Sequence, residues 1–222
     1  MFKKVLIAED LDSISITVIQ ALQELAITEI HHSKYCDDAL LKIKKGLLEN
    51  SPYDLIISDL SFKIDHRENV INSGEVLIEA IKKIQPSIKS IIFSIEDKTY
   101  RIKSLFNDLG INAYVCKGRN SIPQLQKAVR SIYDSNTKVV SAELEHILND
   151  RSLIEIESYD IALLQFLSKG LTHDEISIQF KIAKFSPNGT SSIEKRINKL
   201  RNYFKASNNV HLIAIAKDLG LV

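Results

Sequence analysis

The chain has 222 residues, 45% of them hydrophobic, with 29 basic against 28 acidic side chains. That length suits two modest domains better than one, and the composition excludes disordered, low-complexity and repeat architectures. Its apolar runs are too short to span a bilayer, and the one after the basic start "MFKKVLIAED" is too short for a secretion signal. The two cysteines and six histidines lack metal or redox spacing, so reduced thiols, a cytoplasmic location and no His- or Cys-built metal site are expected.

In chain order, short apolar runs alternate with amphipathic stretches as far as about Asp134. Strands are predicted at Val5–Ala8, Ile27–Ile30, Leu55–Ser58, Ser90–Ser94 and Ala113–Cys116. Helices are predicted near Ile14–Leu25, Asp38–Glu49, Gly74–Ile84, Lys98–Leu109 and Ile122–Tyr133. Five strands alternating with five helices imply a doubly wound α/β fold, its five-stranded parallel sheet covered on both faces. Runs such as "LIIS" and "IIFS" fit strands buried on both sides. The polar stretch "DSNTKVVSAELEHILNDRS" holds one predicted short helix. Beyond Glu157 only helical patterns follow: "SYDIALLQFLSKG", "THDEISIQF", "SSIEKRINKLRNYF" and "VHLIAIAKDLG". Thr172 with Glu175, and Ser191 with Glu194, stand at capping-box spacing.

Charge divides unevenly along this order. Residues 1–135 carry 18 basic and 18 acidic groups, residues 136–157 carry 2 and 5, and residues 158–222 carry 9 and 5. The expected organisation is a neutral α/β domain over 1–135, an acidic linker over 136–156 and a basic all-α domain over 157–222. Such a division is that of a nucleic-acid-binding tail.

In a doubly wound sheet, functional groups gather at the carboxyl ends of the strands. Glu9 and Asp10 follow the first strand, Asp59 the third, Ser94 the fourth and Lys117 the fifth. Three clustered carboxylates repel one another unless a cation lies among them. Oxygen ligands without His or Cys point to Mg2+. A divalent metal, an ammonium and a hydroxyl are equipped to handle a phosphoryl group, with one carboxylate as nucleophile. Asp59, which abruptly ends the apolar run "LIIS", is the expected acceptor. Taken singly, each residue has a plainer reading as a helix cap or surface charge; their coincidence at the strand ends favours the site. Ser94 and Lys117 are expected where side chains meet solvent.

The stretches "VLIAED", "YDLIISD", "IIFS" and "AYVCK", in that order, resemble the receiver domain of two-component response regulators, a flavodoxin-like fold. The resemblance covers residues 1 to about 134. It implies that Glu9 and Asp10 hold Mg2+, that Asp59 is the phosphoacceptor and that the backbone carbonyl of Ser61 is a further metal ligand. Ser94 would contact the phosphoryl group, Lys117 would pair with it, and Tyr114 would be the aromatic switch; its plainer reading is a core aromatic. Three departures stand out. Lys63 replaces a usual Pro, the loop "SFKIDHRENVIN" delays the helix-opening Gly to Gly74, and Gly118 follows the lysine where Pro is usual.

In the basic tail, Ile193, Ile197, Leu200 and Phe204 form an apolar stripe at helical spacing. The opposite face presents Ser191, Lys195, Asn198, Lys199 and Asn202, with Arg196 at its edge. Cationic and amide groups on one helix face suit phosphates and base edges. An ordinary solvated face is the plainer reading. "DIALLQFLSKGLTHDEIS" and "SSIEKRINKLRNYFKASNNVHLIAIAKDLGL" resemble a LuxR-type helix-turn-helix domain over about 157–222. That resemblance implies promoter DNA as partner and dimer contacts through Val210–Lys217. The turn "KIAKFSPNGTSS" is longer than the family's, and Glu194 stands where a basic residue is common.

The sequence is read as a cytoplasmic, non-enzymatic response regulator. A sensor histidine kinase or phosphotransfer protein would phosphorylate Asp59, and the tail would bind promoter DNA as a homodimer, with no membrane involved. One alternative is a receiver-based protein-interaction module whose degenerate tail binds no DNA. Another is a phosphatase working through an acylphosphate.

Overall fold

The computed structural model describes residues 1–63, 70–97, 99–135, 137–145 and 156–222. They divide between two compact units.

The first unit is built on a wholly parallel sheet. Its strands are β1 (Lys4–Ala8), β2 (Glu29–Ser33), β3 (Leu55–Ser58), β4 (Lys89–Ser94), β5 (Ala113–Cys116) and β6 (Val139–Val140), in the order β2-β1-β3-β4-β5-β6. Between them run α1 (Asp12–Gln23), α2 (Cys36–Leu48), α3 (Gly74–Ile84), α4 (Thr99–Asn107) and α5 (Ser121–Ser135). Alternate strand residues point to opposite faces and feed two cores. Leu6, Ala8, Ile56, Ile92 and Tyr114 pack with Ile43 of α2, Leu77 of α3 and Leu105 of α4. Val5, Ile7, Leu55, Ile57 and Phe93 pack with Leu22 of α1 and Val129 of α5. Each fully buried Leu or Ile contributes about 1.5–3 kcal/mol, which is why the central strands are apolar on both sides.

Two expectations change. Strand β2 begins at Glu29 rather than Ile27, because the Ile27 amide closes the end of α1 on the Leu22 carbonyl and its side chain fills the core. Among the described residues the sheet has six strands rather than five. Val139–Val140, expected in the linker, pairs with Ala113–Tyr114, and the Ser141 hydroxyl accepts from the Cys116 amide at 2.7 Å. Without them the outer backbone groups of β5 would lack partners. A 3-10 turn follows at Ala142–Leu144; the rest of the short helix expected there falls largely outside the described residues.

The second unit is helical: α6 (Ser158–Ser168), α7 (His173–Ile182), α8 (Thr190–Tyr203) and α9 (Asn209–Asp218). Leu163, Leu164, Ile176, Phe180, Ile193, Ile197, Leu200 and Leu212 form its core. Gly170 ends α6 with φ +81, a left-handed conformation that suits glycine. Thr172 and Glu175 form the expected capping box on α7. The matching expectation for α8 fails. Its N-cap is Gly189, the helix already includes Thr190, and no side chain caps it, so Ser191 and Glu194 lie within the first turns. The long turn between α7 and α8 is tied down instead: the Tyr159 hydroxyl donates to the Pro187 carbonyl at 2.8 Å, and the Asn188 amide to Phe185 O at 3.1 Å.

Candidate functional site

The strand order reverses between β1 and β3, and the crevice outside their carboxyl ends is where such sheets bind ligands. Backbone bonds continue past the strand ends and fix the residues there. The Glu9 amide donates to Ser33 O, Asp59 to Ala8 O at 3.0 Å, and Lys117 to Ser94 O at 2.8 Å. The His32 Nε2–H donates to the Glu9 carbonyl at 2.8 Å. These bonds carry Glu9, Asp59 and Lys117 to one point.

There the Lys117 ammonium bridges Asp59 Oδ2 at 2.6 Å and Glu9 Oε2 at 2.8 Å. Asp59 Oδ1 accepts from the Leu60 amide at 2.6 Å. Glu9 and Asp59 are buried and Asp10 half-buried, and one oxygen of each lies within 4.8 Å of the others. Burial, only partly offset by Lys117, raises the Glu9 carboxyl above its usual range. Among the described residues, one ammonium bonds two of these three carboxylates, so the cluster keeps an anionic surplus. An oxygen-only donor set of this kind fits Mg2+, a hard cation that prefers oxygen ligands and keeps several waters. Glu9, Asp10 and Asp59 would hold it. The Ser61 amide reaches Asp59 Oδ1 at 3.4 Å, which places Ser61 beside the cluster.

Ser94 and Lys117 are not at solvent as expected. Ser94 is fully buried and the Lys117 side chain is 10% exposed, its ammonium turned in to Glu9 and Asp59. Among the described residues the Ser94 hydroxyl makes no well-formed hydrogen bond; beside it lies the Tyr114 phenol, which donates to the Glu96 carbonyl at 2.5 Å. Tyr114 is wholly buried, and burial raises its pKa.

Gly74 has a role that the sequence only hinted at. A Cβ there would meet the Asp59 carbonyl oxygen at 1.8 Å, so α3 starts in direct contact with the backbone of Asp59. The inserted loop that delays this glycine is closed at its base by a bridge between Ser61 and Ser73. Its far end is held by Asp37, whose carboxylate accepts from the Val70 and Ile71 amides at 2.9 and 3.2 Å. Of its described residues, Lys63 and Val70 are exposed and Ile71 is buried. Most of "KIDHREN" falls outside the described residues.

In the helical unit, Ser191, Lys195, Asn198, Lys199 and Asn202 are exposed on α8, and Ile193, Ile197 and Leu200 face the core. A concavity of about 600 Å3 lies between that face and the α7–α8 turn, lined by Tyr159, Pro187, Lys195, Asn198, Lys199 and Asn202 among others. Arg196 differs from its expected role as an edge contact for DNA. Its guanidinium grips Asp160 of α6 through both carboxylate oxygens, at 2.5 and 2.6 Å, and Asp160 is fully buried. Asp160 also accepts from the Glu157 amide at 3.0 Å. The sequence signal was there to be read: an acid set in the apolar stretch "SYDIALL" needs a buried partner.

No protein-family model and no curated protein matches the sequence. Solved structures do. The RcsB response regulator of Salmonella typhimurium superposes with a TM-score of 0.67 at 18% identity, covering 97% of this chain and 99% of that one. A structure of two RcsB dimers bound to two parallel DNAs gives 0.63 at 18% identity, with 96% of each chain covered. The isolated REC domain of RcsB from Salmonella enterica serovar Typhimurium, with phosphomimetic BeF3-, gives 0.52 at 20% identity, covering 65% of this chain and 97% of that one. What these likenesses establish is a shared fold: a receiver-type parallel sheet followed by a helical unit, as in the RcsB response regulator.

Proposed function

We propose that this chain is a cytoplasmic two-component response regulator. Asp59 accepts a phosphoryl group from a sensor histidine kinase or phosphotransfer protein, and phosphorylation controls the binding of promoter DNA by the helical unit. The observation that carries this reading is the cluster at the β1–β3 switch point: Glu9, Asp10 and Asp59 drawn together, with Lys117 bonded to Asp59 and Glu9.

An Asp59 carboxylate oxygen attacks phosphorus, the bond to the donor's nitrogen breaks, and an acylphosphate forms. Bound Mg2+ would offset the phosphoryl charge. Lys117 stands where it can shift from the carboxylate to a phosphoryl oxygen. The buried Ser94 hydroxyl, without a well-formed bond among the described residues, would turn to the same group. Tyr114, beside it, would report that turn by moving its ring. Domains at 1–135 and 157–222, joined through 136–156, would act as receiver and output. Lys195, Asn198, Lys199 and Asn202 would face the DNA, with Ser191 at a phosphate, and α9 would supply homodimer contacts. RcsB structures bound to promoter DNA with phosphomimetic BeF3- support this pairing of events.

The long α7–α8 turn beside the α8 face, and exposed Glu194, favour a second reading, a protein-interaction module that binds no DNA. One experiment tests both. The full chain is treated with a small acyl phosphodonor and Mg2+, then titrated with promoter DNA at several salt concentrations. Labelling lost in Asp59→Asn, with tighter and salt-dependent DNA binding after phosphorylation, is expected. Undiminished labelling of Asp59→Asn overturns the acceptor; labelling without DNA binding selects the second reading.

A further inference from the structure

Each of the three clustered carboxylates accepts from at least one backbone amide. Asp59 is held by the Leu60 amide and by Lys117, and Glu9 by Lys117 and by the Leu11 amide at 3.3 Å. Asp10 is anchored from much further along the chain. Among the described residues, its hydrogen-bond donor is the backbone N–H of Lys63, at 3.0 Å from Oδ2. That N–H lies just beyond the Ser61–Ser73 bridge, where the inserted loop leaves the site.

We infer that the backbone amide of Lys63 is a positioning group for Asp10, orienting its carboxylate toward a divalent cation held with Glu9 and Asp59. The inference rests on the metal site proposed above. A neutral amide donor occupies one carboxylate oxygen and leaves the charge and the other oxygen available to an ion. Mg2+ demands near-ideal octahedral geometry, so a ligand whose plane is already set binds it better than one free to rotate. The group at work is the N–H and not the ammonium, so any residue except proline supplies it. A proline at this position, as the receiver resemblance leads one to expect, would leave Asp10 without this donor.

The test is Mg2+ binding by the full chain, measured by isothermal titration calorimetry. Lys63→Pro should bind about tenfold more weakly than the wild type, the lower end of what losing a ligand's orienting partner costs. Lys63→Ala, which keeps the N–H, should stay within about twofold, because the charge on the side chain is not what holds Asp10. Equal affinity in Lys63→Pro and the wild type overturns the inference alone. A wild type that binds no Mg2+ overturns the metal site together with it. Circular dichroism establishes that the Lys63→Pro chain is folded. A second measurement needs no proline: amide hydrogen exchange at Lys63 should be slow in the wild type with or without saturating Mg2+, and fast in Asp10→Ala. Fast exchange in the wild type, or slow exchange surviving in Asp10→Ala, overturns the inference, as does loss of protection on adding Mg2+, which would mean that amide and metal compete.

Discussion

Each unit sets a partly buried cation against a buried carboxylate, and the two arrangements differ in charge. In the helical unit Arg196 meets Asp160 one to one, its planar fork matched to both carboxylate oxygens, while Glu157 stands at the rim at 3.6 Å. In the sheet unit the single ammonium of Lys117 is shared by Glu9 and Asp59, with Asp10 alongside. With Glu157 exposed to solvent, the first pair, Arg196–Asp160, is neutral among its buried groups and holds α8 against α6. The second leaves negative charge over, in a place open to a cation. A guanidinium fork suits a permanent joint, whereas an ammonium on a flexible stem can exchange one oxygen for another. On the function proposed above, buried charge marks structure in one unit and chemistry in the other, and the number of buried carboxylates per cation tells them apart.

The largest test of that contrast is Arg196→Ala. It strands a fully buried carboxylate and should destabilise the helical unit by about 3–5 kcal/mol, read by urea unfolding with exchange in α6 and α8 as the local probe. Replacing both partners, Arg196→Met with Asp160→Leu, should recover most of the loss. A small effect from Arg196→Ala would mean that the pair does not hold the helix.

Gly74→Ala comes next. The new methyl group collides with the Asp59 carbonyl, and forcing α3 away should cost about 3 kcal/mol and reduce phosphoryl labelling of Asp59. Wild-type labelling at wild-type stability would show that the contact is not tight.

Lys117→Ala should destabilise the Mg2+-free chain by about 1–3 kcal/mol, since two buried carboxylates lose their donor. Added Mg2+ should restore much of that stability if the surplus charge is what a cation relieves, and thermal unfolding with and without the metal reads both. Were Lys117 the counterpart of Arg196, Mg2+ would make no difference.

The smallest effect on stability belongs to Lys199→Ala. The side chain is exposed, so unfolding should not change, while the salt slope of DNA binding should fall by about one for a lost phosphate contact. An unchanged slope would return that face to plain solvation.

Much of this was legible in the residues. Glu9, Asp59, Ser94 and Lys117 each break an apolar run at its carboxyl end, and a parallel sheet brings such ends together. The α8 stripe was legible for the same reason: Ile193, Ile197 and Leu200 follow the helical period into the core. The capping box at Ser191 was not confirmed, because the long turn feeds α8 through Gly189 and Thr190, and only the folded turn sets where the helix starts.

The amino-acid sequence by itself determined the alternation of strands and helices, the two-unit organisation and which charges stand at the strand ends. These follow from periodicity and from the cost of burying charge, both local properties of the chain. Tertiary structure alone decided the partners. Arg196 and Asp160 are 36 positions apart, and Lys63 reaches Asp10 across 53, through an N–H that nearly every residue carries and no side chain announces. A backbone donor acquires a role only when folding sets it beside an acceptor, and that adjacency is a property of the packed sheet and its loops.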